Sequence, residues 1–293
     1  MHNADVIISL GVRFNDRVTG NRTKFATGAK IVHVDVDGSE LNKTVNSVCG
    51  LRGDVKLTLQ KLLPMLKVEA KPAWMEKVAA FRAEEESYLD NREGLTPRRA
   101  VLTINKHLGE NTAVCTDVGQ HQMWSAQNLN FRTARRFASS GGLGTMGYGF
   151  GAAIGAAYGT GERSVLITGD GSFGMNLNEL ATAVRYNVPV VVVIMNNGVL
   201  GMVRQWQTLF YEKHYSNSVL ERKTNFAAFA KAFGADGEAV TTPEELDAAL
   251  GRAFAYNGPY VIDCKIDKDE FVLPMLPPGG SMDDIITKLE VEL

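Results

Sequence analysis

One stretch of the sequence decides the fold: residues 163–206 read RSVLITGDGSFGMNLNELATAVRYNVPVVVVIMNNGVLGMVRQW. Two apolar runs, 163–168 and 188–195, predict buried strands, and the second is apolar almost throughout, as is typical of a parallel strand covered on both faces. A helix between them would join the strands in parallel, which places their carboxyl ends side by side. The stretch therefore predicts an α/β fold with a doubly wound parallel sheet, in which ligands bind at that edge.

The segment between the two strands carries the signals of a helix start. Asn176 is a candidate N-cap and Glu179 follows three residues later, a pairing typical of a capping box. Apolar residues recur with helical spacing and predict one apolar stripe, formed by Leu177, Leu180, Ala181 and Val184. We therefore expect this helix to begin at Asn176, after a loop that contains Gly169-Asp170-Gly171.

Polar residues follow both strands at the edge where we expect ligands. Asp170 comes after the first strand and Asn197 after the second. A carboxylate, an amide oxygen and a nearby backbone carbonyl are hard oxygen ligands that suit Mg²⁺, which proteins commonly hold together with substrate phosphates. Gly171 and Ser172 would offer backbone N–H groups, and Ser172 a hydroxyl, to those phosphates. The pattern favours a diphosphate anchored through magnesium, whereas a plain loop would explain the glycines but not the paired Asp and Asn.

Composition and charge argue against several function classes. The 293 residues are 45% hydrophobic and carry a formal net charge of −2, so we expect a sizeable core and neither nucleic acid nor a membrane as partner. Three cysteines without a CxxC pattern favour a reducing, cytoplasmic location, and the five histidines show no metal-ligand spacing. There is no signal-peptide pattern and no apolar run near the ~20 residues of a membrane span. Because a strand begins almost at once after Met1, we expect the chain to start inside a larger protein.

Residues 4–66 alternate strand and helix signals and predict part of a nucleotide-binding α/β domain. The segments DVIISLGVRF (5–14) and AKIVHVDVD (29–37) are typical of buried parallel strands, and each ends in polar residues. An acid such as Asp35 at the end of a parallel strand is where a nucleotide ribose is often held. The alternative stays open that Asp35 and Asp37 cap a turn and that the arginines after the first strand lie in a solvated loop.

The domain organisation follows from a change in composition at residues 67–97. This segment is charged and contains two prolines, and we interpret it as a linker with one amphipathic helix. Thr96-Pro97 then opens a further helix, with proline at its first position. The predicted domains are the C-terminal part of a central domain at 1–66, the linker at 67–97 and a cofactor-binding domain at 98–293.

Three features each allow two interpretations. His121 follows a predicted strand and could be a ligand at the sheet edge or a satisfied loop histidine. Met202 and Trp206 lie one helical turn apart and share a face, which could belong to the core or to a site. Residues 142–147 match GxGxxG, with Asp170 at the end of the next strand, and would make an NAD-dependent oxidoreductase the alternative function.

Several motifs together resemble the catalytic large subunit of acetolactate synthase (acetohydroxyacid synthase). They are DVGQHQMW (117–124), SGGLGTMGYG (140–149), GDGSF with the later NN, and MVRQWQ (202–207). GVRFNDRVTG (11–20) and HVDVD (33–37) resemble its central FAD-binding domain, and RFNDR favours the biosynthetic type that contains FAD over the catabolic type. The resemblance covers nearly the whole chain and implies a thiamine-diphosphate-binding fold preceded by part of a Rossmann-like central domain.

The resemblance also implies roles for individual residues, although it assigns no certain catalytic residue to this chain. Mg²⁺ would be bound by the side chains of Asp170 and Asn197 and by the carbonyl of Val199. Thiamine diphosphate would be contacted by Gln120, His121, Gly144, Thr145, Met146, Asp170, Gly171, Ser172 and Asn197, with Met146 holding the cofactor bent. FAD would be contacted by Gly11, Val12, Arg13, Phe14, Asn15, Asp35, Val36, Asp54 and Val55. Arg17, Met202 and Trp206 would line the substrate channel. The sequence departs from the family at Asn15, which is commonly Asp, and at Gly151, which is commonly Pro.

The implied reaction is the carboligation of two 2-ketoacids. Pyruvate loses CO₂ and is joined to a second pyruvate or to 2-ketobutyrate, giving 2-acetolactate or 2-aceto-2-hydroxybutyrate on the route to branched-chain amino acids. The family takes its acid–base carboxylate from an N-terminal pyrimidine-binding domain, and no stretch here resembles it, since Glu179 is more simply a capping or surface residue. The resemblance thus implies a chain that is inactive alone, a homodimer or larger assembly, and a small regulatory subunit as a further partner. A non-catalytic cofactor-binding module is the remaining alternative.

Overall fold

The computed structural model describes residues 1–67, 69–88, 92–221 and 223–288, without the side chains of 85–88. Parts of the predicted linker (68 and 89–91) and of the predicted C-terminal domain (222 and 289–293) therefore lie outside the described residues. None of the helices in the described ranges has the length and apolar character that crossing a membrane would need.

The chain divides into two compact units, Met1–Leu89 together with Leu273–Leu293, and Asp90–Val272. The first division falls inside the predicted linker, at 67–97. The tail from Leu273 groups with the N-terminal unit, whereas the sequence places it in a domain at 98–293. The predicted domain assignment remains a prediction.

The N-terminal unit contains a parallel sheet of three strands in the order β1-β2-β3. Its elements are β1 (Val6–Leu10), α1 (Asp16–Thr19), β2 (Lys30–Asp35), β3 (Cys49–Arg52), α2 (Val55–Leu62) and α3 (Pro72–Tyr88), with 3₁₀ turns at Leu63–Met65 and Met282–Asp284. The two predicted strands are confirmed as β1 and β2, which pair in parallel with Leu10 opposite Val34. The helix predicted in the linker is present as α3. The sequence did not predict β3.

The prediction that β1 is buried is wrong for one of its faces. Val6 and Ile8 are 50% and 55% exposed. Ile7, on the opposite face, packs against a small core that contains Phe14 and Ile31. Because successive side chains of a strand point to opposite faces, an apolar run cannot by itself show that both faces are covered.

The second unit is organised around a sheet of six strands in the order β5-β4-β6-β7-β9-β8, all parallel. Its elements are α4 (Pro97–His107), β4 (Ala113–Thr116), α5 (Gln120–Asn128), β5 (Phe137–Ser139), α6 (Tyr148–Thr160), β6 (Ser164–Gly169), α7 (Asp170–Asn176), α8 (Leu180–Arg185), β7 (Val190–Asn196), α9 (Gly201–Phe210), α10 (Phe226–Phe233), β8 (Asp236–Val240), α11 (Pro243–Ala255) and β9 (Tyr260–Lys265), with a 3₁₀ turn at Leu177–Glu179. The predicted parallel pair is confirmed as β6 and β7.

Strand β7 shows why the sheet is doubly wound. Its side chains alternate between two buried clusters: Val191, Val193 and Met195 belong to one, and Val190, Val192 and Ile194 to the other. The first cluster includes residues of α4 and α11, and the second includes residues of α6 and α10. Helices therefore cover both faces of the strand, as its continuous apolar run predicts.

The predicted helix start at Asn176 is wrong. Helix α7 begins at Asp170, directly after β6, and Asn176 is its last residue. The Asn176 amide makes no cap and instead donates to the Gly147 carbonyl at 2.9 Å, a partner far away in the sequence. Because the 3₁₀ turn at Leu177–Glu179 separates α7 from α8, the predicted stripe is also shifted: Leu180 and Ala183 are buried, whereas Ala181 is exposed.

Candidate functional site

The predicted magnesium ligands meet at the carboxyl edge of β6 and β7. Gly169 pairs with Met195 in the sheet, so Asp170 and Asn196 are the next residues on the two neighbouring strands. Asp170 is 3% exposed, and Asn197 is partly buried. The structure therefore brings the carboxylate and the amide predicted from the sequence to one rim of the sheet.

The segment after Asn197 is held in place by backbone hydrogen bonds. Val199, which is buried, forms an antiparallel bridge with Val219, and the Val199 N–H donates to Asn197 Oδ1 at 3.2 Å. Leu200 N–H donates to the Ser218 carbonyl at 2.7 Å. In the described part of the chain no cluster of three or more His, Cys, Asp or Glu could hold a metal. A cation here would depend on one carboxylate together with amide and carbonyl oxygens, a donor set that suits Mg²⁺.

His121 lies buried under the same rim. Two glycines make room for its ring, since a Cβ on Gly119 or Gly169 would lie about 3 Å from ring atoms: 2.9 Å from Cε1 for Gly119 and 3.0 Å from Nδ1 for Gly169. Burial lowers the pKa of His121 to about 3, against a smaller opposing effect of a hydrogen bond to the Asp117 backbone. The ring is therefore neutral at pH 7.

The second ring nitrogen of His121 lacks a hydrogen-bond partner in the described part of the chain. His121 Nε2 is buried and has no hydrogen-bond partner among the described residues, so the bond to the Asp117 carbonyl uses Nδ1. A neutral ring that donates through Nδ1 offers Nε2 as an acceptor. A phosphate oxygen would need a proton on Nε2, and a bound anion favours that proton because a neighbouring negative charge raises a histidine pKa. An orphaned buried nitrogen at this place fits the predicted diphosphate.

The side chain of Gln120, by contrast, is already occupied by protein partners. Its Nε2 donates to Gln205 Oε1 at 2.9 Å and to the Glu270 carbonyl at 2.7 Å. Its Oε1 accepts a bond of 3.3 Å from Asn197 Nδ2. The structure thus joins Gln120 to Asn197 rather than directing its amide donors to an open site.

Three further predicted cofactor residues, Gly144, Thr145 and Met146, lie in the segment between β5 and α6. Gly144 has a φ of +65° and turns the segment before α6, while the Thr145 N–H donates to Ser140 Oγ at 3.0 Å. A Cβ on Gly171 would lie 3.1 Å from a Leu200 methyl and 3.7 Å from the Met146 methyl, so Met146 lies over Gly171. Met146 and Thr145 also line an open cavity of about 480 Å³.

Ser172 has less to offer a phosphate than the sequence suggests. Ser172 is 2% exposed, and its hydroxyl donates to the Val118 carbonyl at 2.9 Å. The hydroxyl proton is therefore already used within the protein, although the oxygen can still accept a bond.

Asp117 is a residue at the site that sequence reasoning missed. Its carboxylate is buried and accepts bonds from the Gly147 N–H at 2.7 Å, the Val118 N–H at 3.2 Å and Thr168 Oγ1 at 3.4 Å. Burial is the main cause that raises the pKa of Asp117, and these hydrogen bonds oppose it. Through its carbonyl it also holds His121. An acid at the end of a predicted strand was the available signal.

The GxGxxG pattern at 142–147 does not occupy a dinucleotide-binding unit. It lies between β5 and α6, but the next strand, β6, is not the neighbour of β5, because β4 lies between them. In the dinucleotide-binding unit the glycine turn belongs to a tight βαβ unit. The alternative of a nicotinamide site therefore gains no support from the topology.

The predicted substrate-channel residues lie in both units. Met202 and Trp206 are partly buried on α9, where Met202 packs against the core and the Trp206 ring lies 5.2 Å from that of Phe210. The buried residues of this helix are polar: Arg204, Gln205 and Thr208. Arg17 is exposed on α1 of the N-terminal unit. Their role as a channel remains a prediction.

The predicted FAD residues gather at the carboxyl edge of the three-stranded sheet. Leu10, Asp35 and Arg52 are the last residues of its strands, and the predicted residues directly follow or end them: Gly11, Val12, Arg13, Phe14, Asn15, Asp35, Val36, Asp54 and Val55. Asn15 caps α1 and Asp54 caps α2 with their side chains. Phe14 is 6% exposed and belongs to the small core, so its ring points away from the edge.

Asp35 and Asp37 do cap turns, as the alternative held. Asp35 Oδ1 accepts the Asp37 N–H at 2.8 Å, and Asp37 Oδ1 accepts both the N–H and the hydroxyl of Ser39. The hydrogen bonds to Ser39 are the largest cause that lowers the pKa of Asp37. The second carboxylate oxygen of Asp35 lies 3.9 Å from His33 Nε2, which also bonds to the Val12 carbonyl at 3.0 Å.

Comparisons with known proteins agree with this geometry. Residues 117–264 match the thiamine pyrophosphate enzyme C-terminal TPP binding domain, and residues 1–62 match the central domain of the same enzymes. A probable acetolactate synthase large subunit of Methanocaldococcus jannaschii is 40% identical over 98% of this chain and 50% of its own length. The large subunit of Haemophilus influenzae is 36% identical over 98% of this chain, and that of isozyme 3 of Escherichia coli is 38% identical over 97%, each over 52% of the relative. The chain spans about half the length of the curated relatives it matches.

Proposed function

Because the chain belongs to the thiamine pyrophosphate enzyme family, we propose that it supplies the magnesium- and diphosphate-binding half of an acetolactate synthase active site. The observation that carries the proposal is the meeting of Asp170 and Asn197 at one sheet edge, next to a buried His121 Nε2 without a partner among the described residues. Mg²⁺ would be held by Asp170, Asn197 and the Val199 carbonyl. The complete enzyme would also contain the half of the relatives' length that this chain does not cover. Its reaction would be the carboligation of pyruvate with pyruvate or 2-ketobutyrate.

The cofactor and this chain would divide the work. When bound, thiamine diphosphate supplies the carbon centre at which a 2-ketoacid is decarboxylated and joined to a second one. Asp170 and Asn197 would bind the ion that neutralises the diphosphate, and Gly171 leaves room for methyl groups of Leu200 and Leu220, which a Cβ would approach to 3.1 and 3.3 Å. An anionic oxygen bound beside His121 Nε2 would favour a proton on that nitrogen.

FAD and protein partners belong to the same proposal. Residues 1–62 match the central domain, and the predicted FAD residues gather at one sheet edge, which supports a flavin bound there by the complete enzyme. Since the net reaction needs no redox step, we propose a structural role for the flavin. The relatives are named large subunits, which supports a small regulatory subunit as a partner. Assembly as a homodimer or larger is a further part of the proposal.

Calorimetric titration tests the proposal. Thiamine diphosphate is titrated into the chain with and without Mg²⁺, and into Asp170→Ala. We expect binding only with the metal and with Asp170 present, because removing the one carboxylate of the donor set weakens the ion's site. Asp247→Ala, which removes an exposed carboxylate that pairs with His107, is the control. Equal binding by both variants, or no binding by the unaltered chain, would contradict the proposal. A titration with NADH tests the oxidoreductase alternative.

A further inference from the structure

A row of three side-chain amides leads from the backbone after β9 to the proposed metal ligand. Gln205 lies on α9, Gln120 at the start of α5 and Asn197 after β7. Gln205 and Gln120 are 1% and 4% exposed. Buried amides are held by hydrogen bonds at both ends, so each amide restricts the orientation of the next.

The backbone of Val272 fixes the first amide. The Val272 N–H donates to Gln205 Oε1 at 2.9 Å, and Gln205 Nε2 donates to the Val272 carbonyl at 2.9 Å. A flipped Gln205 amide would place donor against donor and acceptor against acceptor. Because a backbone N–H is always a donor and a carbonyl always an acceptor, the orientation of Gln205 is determined.

The second amide follows from the first. Gln120 Nε2 donates one hydrogen to Gln205 Oε1 and the other to the Glu270 carbonyl, at 2.9 and 2.7 Å. A flip would turn Gln120 Oε1 towards two acceptors and leave it without a donor. Gln120 Oε1 therefore faces Asn197, whose Nδ2 donates to it at 3.3 Å. This leaves Asn197 Oδ1, the oxygen that accepts the Val199 N–H, on the side away from Gln120.

We propose that Gln205 is a positioning residue that acts through Gln120 and keeps the Asn197 amide oxygen, rather than its NH₂ group, turned to the metal. The proposal rests on the proposed function, since Asn197 matters here as a ligand of Mg²⁺. A flipped Asn197 would present two N–H donors to a cation, which cannot bind them. Gln205 is thus not itself a proposed metal ligand, and it would orient one of the ligands through Gln120.

Gly201 supports the same arrangement independently. It begins α9, and a Cβ at this position would overlap Gln120 Oε1 and lie 2.8 Å from Asn197 Nδ2. Its φ lies outside the left-handed region, so the backbone itself does not require glycine. The space at Gly201 is therefore what lets the Gln120–Asn197 contact form.

The test measures the Mg²⁺ concentration that gives half-maximal binding of thiamine diphosphate by the 293-residue chain. We expect Gln205→Met and Gly201→Ala each to raise it about 10- to 100-fold, as loss of outer-shell partners does at other metal sites. Gln207→Met is the matched control on the same helix, because the Gln207 amide donates to the Ser216 carbonyl instead. Gly251→Ala is the second control, since a Cβ there meets nothing within 4 Å.

The double variant Gly201→Ala/Gln205→Met separates a common route from two unrelated disturbances. If both substitutions act by releasing the Asn197 amide, the shift in the double variant equals that of a single variant, because coupled sites are not additive. Thermal unfolding without Mg²⁺ or cofactor, at the same pH, shows whether each variant is folded at the titration temperature.

The outcomes are distinct for the two proposals. If the unaltered chain binds with Mg²⁺ and Asp170→Ala does not, the proposed function holds. The positioning role is then overturned if Gly201→Ala is folded and needs the same Mg²⁺ concentration for half-maximal binding as Gly251→Ala. It is also overturned if Gln205→Met needs the same Mg²⁺ concentration as Gln207→Met. Shifts that multiply in the double variant also overturn it. No Mg²⁺-dependent binding by the unaltered chain overturns the proposed function and the positioning role with it.

Discussion

Replacing Asp117 is the perturbation whose cost the structure defines best. Its carboxylate accepts bonds from the N–H groups of Gly147 and Val118 and from the Thr168 hydroxyl. Hydrogen bonds to charged groups contribute about 1.5–3 kcal/mol each, and a buried donor left without a partner costs about 1–3 kcal/mol. The Gly147 N–H is such a donor. Because burying the carboxylate itself costs free energy, we expect Asp117→Ala to lower the free energy of unfolding by about 2–4 kcal/mol rather than by the full sum.

Asp117→Asn is the matched variant, since it keeps an acceptor for the Gly147 N–H and removes the charge. We expect it to cost about 1 kcal/mol or less, because the Thr168 hydroxyl can accept from the new NH₂ group. Burial raises the pKa of Asp117 above its ordinary value of 3.8, so the folded protein binds this proton more readily than the unfolded chain. The protonated Asp117 therefore contributes fully to the free energy of unfolding below pH 3.8, and this contribution declines as pH rises through the raised pKa.

Urea unfolding followed by circular dichroism, at several pH values, measures these differences. The stability of the unaltered chain relative to Asp117→Asn should fall as pH rises from about 4, since only the former loses the proton. If Asp117→Ala costs no more than Asp117→Asn, or no more than the exposed Asp247→Ala, the reasoning from buried hydrogen bonds is refuted.

Three further predictions follow from other contacts. Because burial lowers the pKa of His121 from 6.5 to about 3, its contribution to stability should fall by up to about 1.4 kcal/mol per pH unit from pH 6.5 towards 3, and unfolding of His121→Gln should lack this slope. A Cβ on Gly149 would lie 2.7 Å from a Leu166 methyl and 2.8 Å from a backbone nitrogen, so Gly149→Ala should cost about 1–3 kcal/mol by thermal unfolding. Gly151→Ala, in the same helix with nothing within 4 Å, should instead gain up to about 1 kcal/mol. Thr242→Ala removes one half of the capping box at the start of α11 and should lower the free energy of unfolding by about 1 kcal/mol, measured in denaturant. Asn225→Ala, which removes a cap without a capping box from α10, is the comparison, and an equal cost would mean that the geometry of the cap does not matter.

Local signals predicted some elements correctly, although the equally local pattern of Asn176 and Glu179 predicted a helix start that the structure does not have. The helix predicted to open at Thr96-Pro97 is confirmed, since α4 begins at Pro97 and the Thr96 side chain accepts the N–H of Arg99 three positions on. The continuous apolar run of β7 likewise predicts its cover on both faces. The strand ends then place Asp170 and Asn197 on one rim, because a parallel crossover leaves little choice of geometry.

The sequence by itself therefore determined the α/β class, the parallel pairing and the rim that carries the candidate site. The tertiary structure alone decided what the polar side chains at that rim do. Asn176 bonds to Gly147 instead of capping a helix, and Gln120 is held by Gln205 and the Glu270 carbonyl. Such bonds join residues from different elements, and their cost and benefit depend on burial that no local pattern encodes. Periodicity and capping are properties of neighbours along the chain, whereas the buried amide row exists only because the sheet brings distant residues together.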